Sequence, residues 1–459
     1  MKRMEAAMNT ITDRPLTFPH GIHPPEYKDL SADSPIERLP FSGELVLPLS
    51  QHIGAPSKPI VRKGQKVRRG EKIAEAAGFV SVALHSPADG TVEDIGLYPV
   101  QNGLDQPAIK IRTDPYSQQQ YMDNHPGDYK TMDLPAFVKA VQESGLVGLG
   151  GAAFPAHVKF SIPEGKTCRY LMLNGCECEP FLTSDDRLMV EHADELVDGM
   201  LILNHFIQAE KMYIAVEMNK PQATANLREA VKKKGAPIEV TPLKVKYPQG
   251  AEKMMITAIL GEEVPAGKLP IDLDVLVSNV GSIVALANYF QRGEPLTERV
   301  ITVTGSAVGR PTNVLAPLGT PVRELVEWCG GIQGEVTRAL FGGPMMGVVQ
   351  KSLDVPVQKG TSGILLLTDK EVRTLEEYNC IRCGRCVDAC PLYLNPCRMG
   401  LLARKGLWDE MEDYHVMDCF ECASCSYVCP SSIPLVQSFK VAKGFIREQK
   451  ARERAKADG

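Results

Sequence analysis

Two stretches near the C-terminal end of the chain carry one spacing, CxxCxxCxxxCP: Cys380-Ile-Arg-Cys383-Gly-Arg-Cys386-Val-Asp-Ala-Cys390-Pro391 and Cys419-Phe-Glu-Cys422-Ala-Ser-Cys425-Ser-Tyr-Val-Cys429-Pro430. Three thiolates at three-residue steps let a short loop wrap three corners of an iron-sulfur cubane, while the fourth opens a helix and reaches the other cluster. The spacing therefore assigns Cys380, Cys383, Cys386 and Cys429 to one 4Fe-4S cluster, and Cys390, Cys419, Cys422 and Cys425 to a second. Structural zinc also uses Cys pairs, but a tetrahedral site needs only two pairs and has no use for the repeated Cys-Pro. Cys168, Cys176, Cys178, Cys329 and Cys397 fall outside the repeat, and a Cys without such a pattern reads as a small buried hydrophobe.

Outward from the block, a helix-like stretch, Arg398 to Trp408, separates the motifs and lets the two halves fold together as a two-cluster ferredoxin-type module over 371–437. A basic polar tail, 438–459, follows and is expected to be solvated. Clusters bind no substrate, so the module is a wire, and a domain upstream must supply or accept its electrons.

Composition leaves room for such a domain. A chain of 459 residues exceeds the roughly 250 to 300 at which single cores split, so several domains are expected. The 51 basic and 56 acidic side chains leave a net charge of -5, which offers nucleic acid no electrostatic footprint. Of 13 cysteines, nine crowd between Cys380 and Cys429, pointing to metal rather than disulfides. No apolar run reaches the roughly 18 to 20 residues that cross a bilayer, and Met1 to Thr10 lacks the apolar core of a signal peptide, so a cytoplasmic chain is expected.

From Asp133 onward, helical patterns alternate with apolar strands, the sign of a mainly parallel α/β sheet. A helix over Leu134 to Val141 runs into Gly145-Leu-Val-Gly148-Leu-Gly150-Gly151-Ala-Ala-Phe154-Pro155-Ala-His-Val-Lys159. A dinucleotide fingerprint should follow a strand, and this loop follows a helix, so an ordinary Rossmann loop is not expected. What remains is a backbone free to approach a planar or phosphorylated ligand, with Phe154 as a stacking face and Lys159 as a phosphate-reaching cation. The strand-like Tyr170 to Leu173 then delivers Asn174-Gly-Cys-Glu177-Cys-Glu179, an amide and two carboxylates at a strand's C-terminal end, where open α/β sheets bind ligands. Asn174 suits a flavin edge, and Glu177 and Glu179 suit nicotinamide or ribose groups; the plainer alternative is solvated loop charge.

These two loops resemble the flavin loop and the Asn/acid/acid loop of the NADH-oxidising subunit of respiratory complex I. Tyr247-Pro-Gln-Gly250-Ala-Glu252 and Ser278-Asn279 fall where that family has its Tyr/Gly/Glu and paired-Asn flavin contacts. The resemblance implies noncovalent FMN and NAD(H) as substrate, held by Gly148, Gly150, Gly151, Phe154, Lys159, Asn174, Glu177, Glu179, Tyr247, Gly250, Glu252, Ser278 and Asn279. No side chain is assigned a catalytic role, because the flavin carries the hydride. Ala153, Ala251 and Ser278 depart from the family pattern. The unit over 291–340 resembles a β-grasp, SLBB-like domain, and 341–370, with Phe341-Gly-Gly-Pro344, reads as a return segment toward the flavin domain.

At the amino-terminal end, 1–40 reads as an extended segment and 41–115 resembles the barrel-sandwich fold of lipoyl and biotinyl carriers, but Ala74 to Leu84 holds no carrier lysine. His20 and His23 read as turn histidines, not metal ligands. With 130–290 as the FMN/NADH-binding α/β domain, the fold class is multidomain α/β and α+β, and the order of domains resembles the C subunit of the Rnf/Rsx ion-translocating ferredoxin:NAD oxidoreductase. That resemblance implies a peripheral subunit on the cytoplasmic face of the membrane. Its partners would be the other Rnf/Rsx subunits, membrane subunits and the ferredoxin-like B subunit, with ferredoxin reached through the complex and Na+ or H+ moved by it. Soluble cobalamin reductases share the modules but carry the barrel late, and a flavin-free electron-wire scaffold would have no need of the loop residues.

Overall fold

The computed structural model describes residues 15–101, 103–372 and 375–457; the reading of Met1 to Thr10 lies outside them. The central sheet has four parallel strands in the order Ile238–Leu243, Lys211–Glu217, Tyr170–Gly175, Val275–Asn279. Both faces are covered, which is why the strands are continuously apolar rather than alternating. One core joins Leu171, Leu173 and Ile214 to Val197, Leu227 and Ile283 of the helices Ala193–Ile207, Pro221–Lys234 and Val280–Arg292. A second joins Met172, Ala215 and Val277 to Met255 and Ile256 of the helix Glu252–Leu260.

The barrel-sandwich domain pairs a four-stranded sheet, built on Glu44–Pro48, Asp105–Thr113, Gly90–Pro99 and Lys66–Val67, with three short strands. Its inward residues Leu45, Leu47, Ile109 and Ile111 belong to the same apolar core as Ile301, Val303, Val314 and Ile364 of the β-grasp sheet.

That sheet departs from the sequence reading. Glu298–Thr304 and Thr312–Pro317 pair as an antiparallel hairpin, but Gly363–Leu367 lies parallel beside Glu298–Thr304, and Ile36–Arg38 pairs with Thr312–Pro317. Hydrogen bonding therefore unites strands from the supposed extended segment, the β-grasp unit and the return segment in one six-stranded sheet. Gly363-Ile-Leu-Leu-Leu367 is buried throughout, as a central strand must be.

In the C-terminal module the expected single helix breaks at Gly406 (φ +68°) into Pro396–Arg404 and Trp408–Asp413. The basic tail begins as a packed helix, Leu435–Ala457, whose Phe439, Ala442 and Ile446 enter the module's core; only its distal turns are exposed as expected. No helix among the described residues is long and apolar enough to cross a membrane.

Candidate functional site

Parallel strands deliver the residues after their C-termini to one edge of the sheet. Tyr170–Gly175 and Val275–Asn279 are neighbours, and Asn174 and Asn279 are direct partners across their ladder, with the buried Ser278 opposite Leu173. The glycine loop lies over this edge: a Cβ on Gly150 would sit 3.5 Å from the side chain of Asn279. Gly148 N–H donates to Phe154 O at 2.8 Å and closes the loop, which follows the helix Leu134–Glu143 as expected. At Gly151, φ is +117° and no atom lies within 4 Å of a Cβ, so the backbone there faces open space that a ligand can enter.

Buried groups far away in sequence brace the loop from behind. Leu149 N–H donates to Ser282 Oγ at 2.8 Å, Arg299 donates to Leu149 O at 3.3 Å, and Lys359 Nζ donates to Gly145 O at 2.6 Å and Ala83 O at 3.0 Å. Burial pushes the Lys359 ammonium down to about 7 and the Arg299 guanidinium to about 10. Sequence reasoning missed Arg299 and Lys359 because each stands outside any motif, and their partners are backbone carbonyls.

Asn174 donates to Gly250 O at 2.7 Å and accepts from Cys176 N–H at 3.2 Å, which locks its amide at the strand end. Beside Gly250, Gln249 is fully buried, and neither of its side-chain amide atoms has a partner among the described residues. Open backbone at Gly151 beside the paired asparagines fits a planar ligand with polar edges. Lys159 is ion-paired with Glu252 and donates to Val277 O at 3.1 Å, while Phe154 is half-buried at the loop.

The two carboxylates are engaged differently from the sequence expectation. Glu177 accepts from Asp185 N–H at 2.8 Å, Asp186 N–H at 3.2 Å and Ser184 Oγ at 3.2 Å, so it caps the helix Ser184–Glu191, where a negative charge meets the positive dipole end. Asp185, in turn hydrogen-bonded by Asn279, is raised above the carboxylate range by burial and by the Glu177 charge. Glu179 accepts from Met345 N–H at 3.0 Å and Met346 N–H at 2.9 Å, and burial pushes its carboxyl up to about 7 against the pull of those bonds. A Cβ on Gly343 would lie 2.2 Å from the Glu179 carboxylate, so the Gly-Gly-Pro turn is what lets it in. Beneath both acids, the buried Lys28 donates to the carbonyls of Glu177 at 2.9 Å, Glu179 at 3.0 Å and Leu182. No pattern around Lys28 announced that contact.

Tyr247 points the other way. It is buried in a small apolar cluster with Ile22, Cys178, Met345 and Cys422, and its hydroxyl donates to Cys422 O at 2.8 Å. His20 also meets the cysteine module, through Asp388 O at 2.6 Å and an edge contact with Tyr393.

In that module, Cys380, Cys383, Cys386 and Cys429 line one cavity, and Cys390, Cys419, Cys422 and Cys425 line another. The motifs repeat in backbone detail: Arg382 and Glu421 have positive φ, as do Gly384 and Ala423, which turns each loop around its cavity. Arg382 N–H donates to Cys380 Sγ and Glu421 N–H to Cys419 Sγ, both at 3.4 Å. Among the described residues no three of these sulfurs converge to hold a single metal ion; they line a space, and each cavity has thiols enough for the four irons of a cubane. Cys397 lines the first cavity with Cys380, unlike the buried Cys168, Cys176 and Cys329.

Comparison with known proteins matches four family models along the chain: an RnfC barrel sandwich hybrid domain over 16–116, a Nuo51 FMN-binding domain over 141–288, an SLBB domain over 300–349 and a 4Fe-4S dicluster domain over 376–433. Among curated relatives, the C subunit of the proton-translocating ferredoxin:NAD(+) oxidoreductase complex of Clostridium ljungdahlii is 41% identical over 443 residues, 96% of either chain. The C subunit of the Na(+)-translocating ferredoxin:NAD(+) oxidoreductase complex of Acetobacterium woodii is 41% identical over 95% of this chain and 98% of its own. The C subunit of the ion-translocating oxidoreductase complex of Rhodobacter capsulatus is 39% identical over 94% and 84%.

Proposed function

Because the chain belongs to the RnfC family, the C subunits of ion-translocating ferredoxin:NAD(+) oxidoreductase complexes, we propose that it is the peripheral, cytoplasmic-face subunit that exchanges electrons between NAD(H) and its partner subunits. Its cofactors are FMN and two 4Fe-4S clusters. Bound there, a flavin would supply the conversion between two-electron hydride chemistry and the single electrons that iron-sulfur clusters carry. The partners are the membrane subunits and the ferredoxin-like B subunit, and ion transport belongs to the complex as a whole.

The chain's own residues divide the work. The backbone of Gly148, Gly150 and Gly151, the amides of Asn174 and Asn279, and Gly250 and Ser278 hold the flavin, with Lys159 offering its ammonium to a phosphate in competition with Glu252. Phe154 offers a ring face to the nicotinamide. Glu177 and Glu179 act from behind, by holding the helix start and the Gly343 turn in place. Cys380, Cys383, Cys386 and Cys429 hold the first cluster; Cys390, Cys419, Cys422 and Cys425 hold the second.

One observation carries the reading: the hydroxyl of Tyr247, on the proposed flavin segment, is bonded to the carbonyl of Cys422, a ligand of the second cluster. It supports entry of electrons from the flavin at the second cluster, whose ligand Cys422 meets the flavin segment directly. The barrel's position ahead of the flavin domain favours this family over cobalamin reductases. Protein purified anaerobically should carry one FMN, eight irons and eight acid-labile sulfides, and should reduce a one-electron dye with NADH. Protein that binds the clusters but no flavin would instead be an electron-wire scaffold, and stoichiometric zinc would defeat both readings.

A further inference from the structure

The first cluster cavity is lined by five thiols, one more than the four irons of a cubane need. The fifth, Cys397, is the second residue of the helix Pro396–Arg404, where Pro396 fills the first position and Asn395 caps the end by accepting from Arg398 N–H at 3.0 Å. Its backbone is thus held independently of any cluster. Its Sγ stands 3.8 Å from Cys380 Sγ, within reach of an S–H···S hydrogen bond. Sulfurs bound to different irons of one cubane are spread apart, each pointing out along its own corner. Among the motif thiols around it, the sulfur within hydrogen-bond reach of Cys397 is that of Cys380, so the two would compete for one corner.

The internal duplication supplies a comparison within the same chain. Cys397 lies seven residues after Cys390, and the residue seven after Cys429 is Val436, which lines the second cavity. The second site has an aliphatic side chain where the first has a thiol. The first site is also the more open: Cys383 and its neighbour Ile381 are exposed, whereas Cys425 and Cys390 of the second are buried.

We propose that Cys380 and Cys397 form an exchangeable pair on one iron of the first cluster. This rests on the reading that the first cavity holds a 4Fe-4S cluster. In the exchange, the Fe–S bond to Cys380 breaks as an Fe–S bond to Cys397 forms. The proton of the Cys397 thiol passes to the departing Cys380 sulfur, and no electron is gained or lost. While Cys380 is the ligand, the Cys397 S–H donates to its thiolate and favours the more negative, reduced cluster.

The test uses the full chain, reconstituted anaerobically with iron and sulfide and read by iron content and by electron paramagnetic resonance after reduction. Cys380→Ala should keep close to eight irons, with one cluster's signal altered. Cys419→Ala, at the equivalent position with no spare thiol, should fall toward four, as should the double variant Cys380→Ala/Cys397→Ala. If Cys380→Ala lost iron as completely as Cys419→Ala, the exchange would be wrong. Cys397→Ala, which removes no motif thiol, provides a second reading: the signal of one cluster should shift, and spectra identical to the wild type would overturn the pairing. Wild-type protein that never reached eight irons would sink both this pair and the cluster reading beneath it.

Discussion

Glu179 is a carboxylate largely withdrawn from water, and the backbone N–H groups of Met345 and Met346 replace only part of the lost solvation. Its folded value near 7 stands above the roughly 4.3 of an unfolded glutamate. Between those values the folded chain keeps a proton that the unfolded chain has released, so this group's contribution to stability falls as pH rises from about 4.3 to about 7, by on the order of 3 kcal/mol. Glu179→Gln removes the titration and leaves one N–H unpaired. Melting temperatures measured across pH 5 to 7 should therefore fall less steeply with pH in the variant than in the wild type. Parallel curves would show that Glu179 does not carry the proton. The same residue illustrates what a motif conceals: Asn-Gly-Cys-Glu-Cys-Glu announced acids at a ligand edge, but their carboxylates turn toward a helix start and a glycine turn.

At the scale of elements, the C-terminal helix shows how composition misleads about packing. Leu435–Ala457 is rich in Lys and Arg, yet its first turns bury Phe439, Ala442 and Ile446, and the nearly buried Lys443 donates to Cys419 O and to Glu421 at 2.8 Å. Beyond them, side chains such as Lys450 make surface pairs worth about 0 to 1 kcal/mol. Deleting 449–459 should leave eight irons bound, whereas deleting 438–459 should cost the second cluster, because it removes the wall behind Cys419 and Cys425. Iron analysis of both truncations decides this; equal iron in the two would mean that the helix is dispensable. The six-stranded sheet teaches the same lesson, since Ile36–Arg38 is too short to be read as a strand until Thr312–Pro317 supplies its partner.

Across the whole molecule, the segment from residue 15 works as a strap. Leu16 bridges to Leu243, Ile22 to Tyr247, Lys28 reaches beneath the acidic loop and Ile36–Arg38 completes the β-grasp sheet. The strap and Tyr247 hold the flavin domain to the cysteine module. Tyr247→Phe keeps the ring but leaves Cys422 O without its donor, which should cost about 1 to 3 kcal/mol. The variant should retain flavin and iron, yet its clusters should bleach more slowly after NADH has reduced the flavin in stopped-flow absorbance. Wild-type melting and wild-type bleaching together would remove Tyr247 from the electron path.

The sequence by itself determined the chemistry wherever spacing is the chemistry: thiols at three-residue steps, a glycine loop, and an amide at the end of an apolar strand depend on neighbours in the chain. It also determined the order of domains and the family. What only the tertiary structure decided depends on contacts between residues far apart in sequence. Lys28, Arg299 and Lys359 donate mainly to backbone carbonyls, which any sequence offers at every position, so nothing local marks them. The single sheet shared by residues 36 to 367 likewise exists only once its strands meet, because an edge strand of three residues owes its form to its partner. Cys397 belongs to both accounts: the sequence shows a cysteine outside the repeat, and only the return of the helix Pro396–Arg404 toward Cys380 brings its sulfur to the cluster cavity.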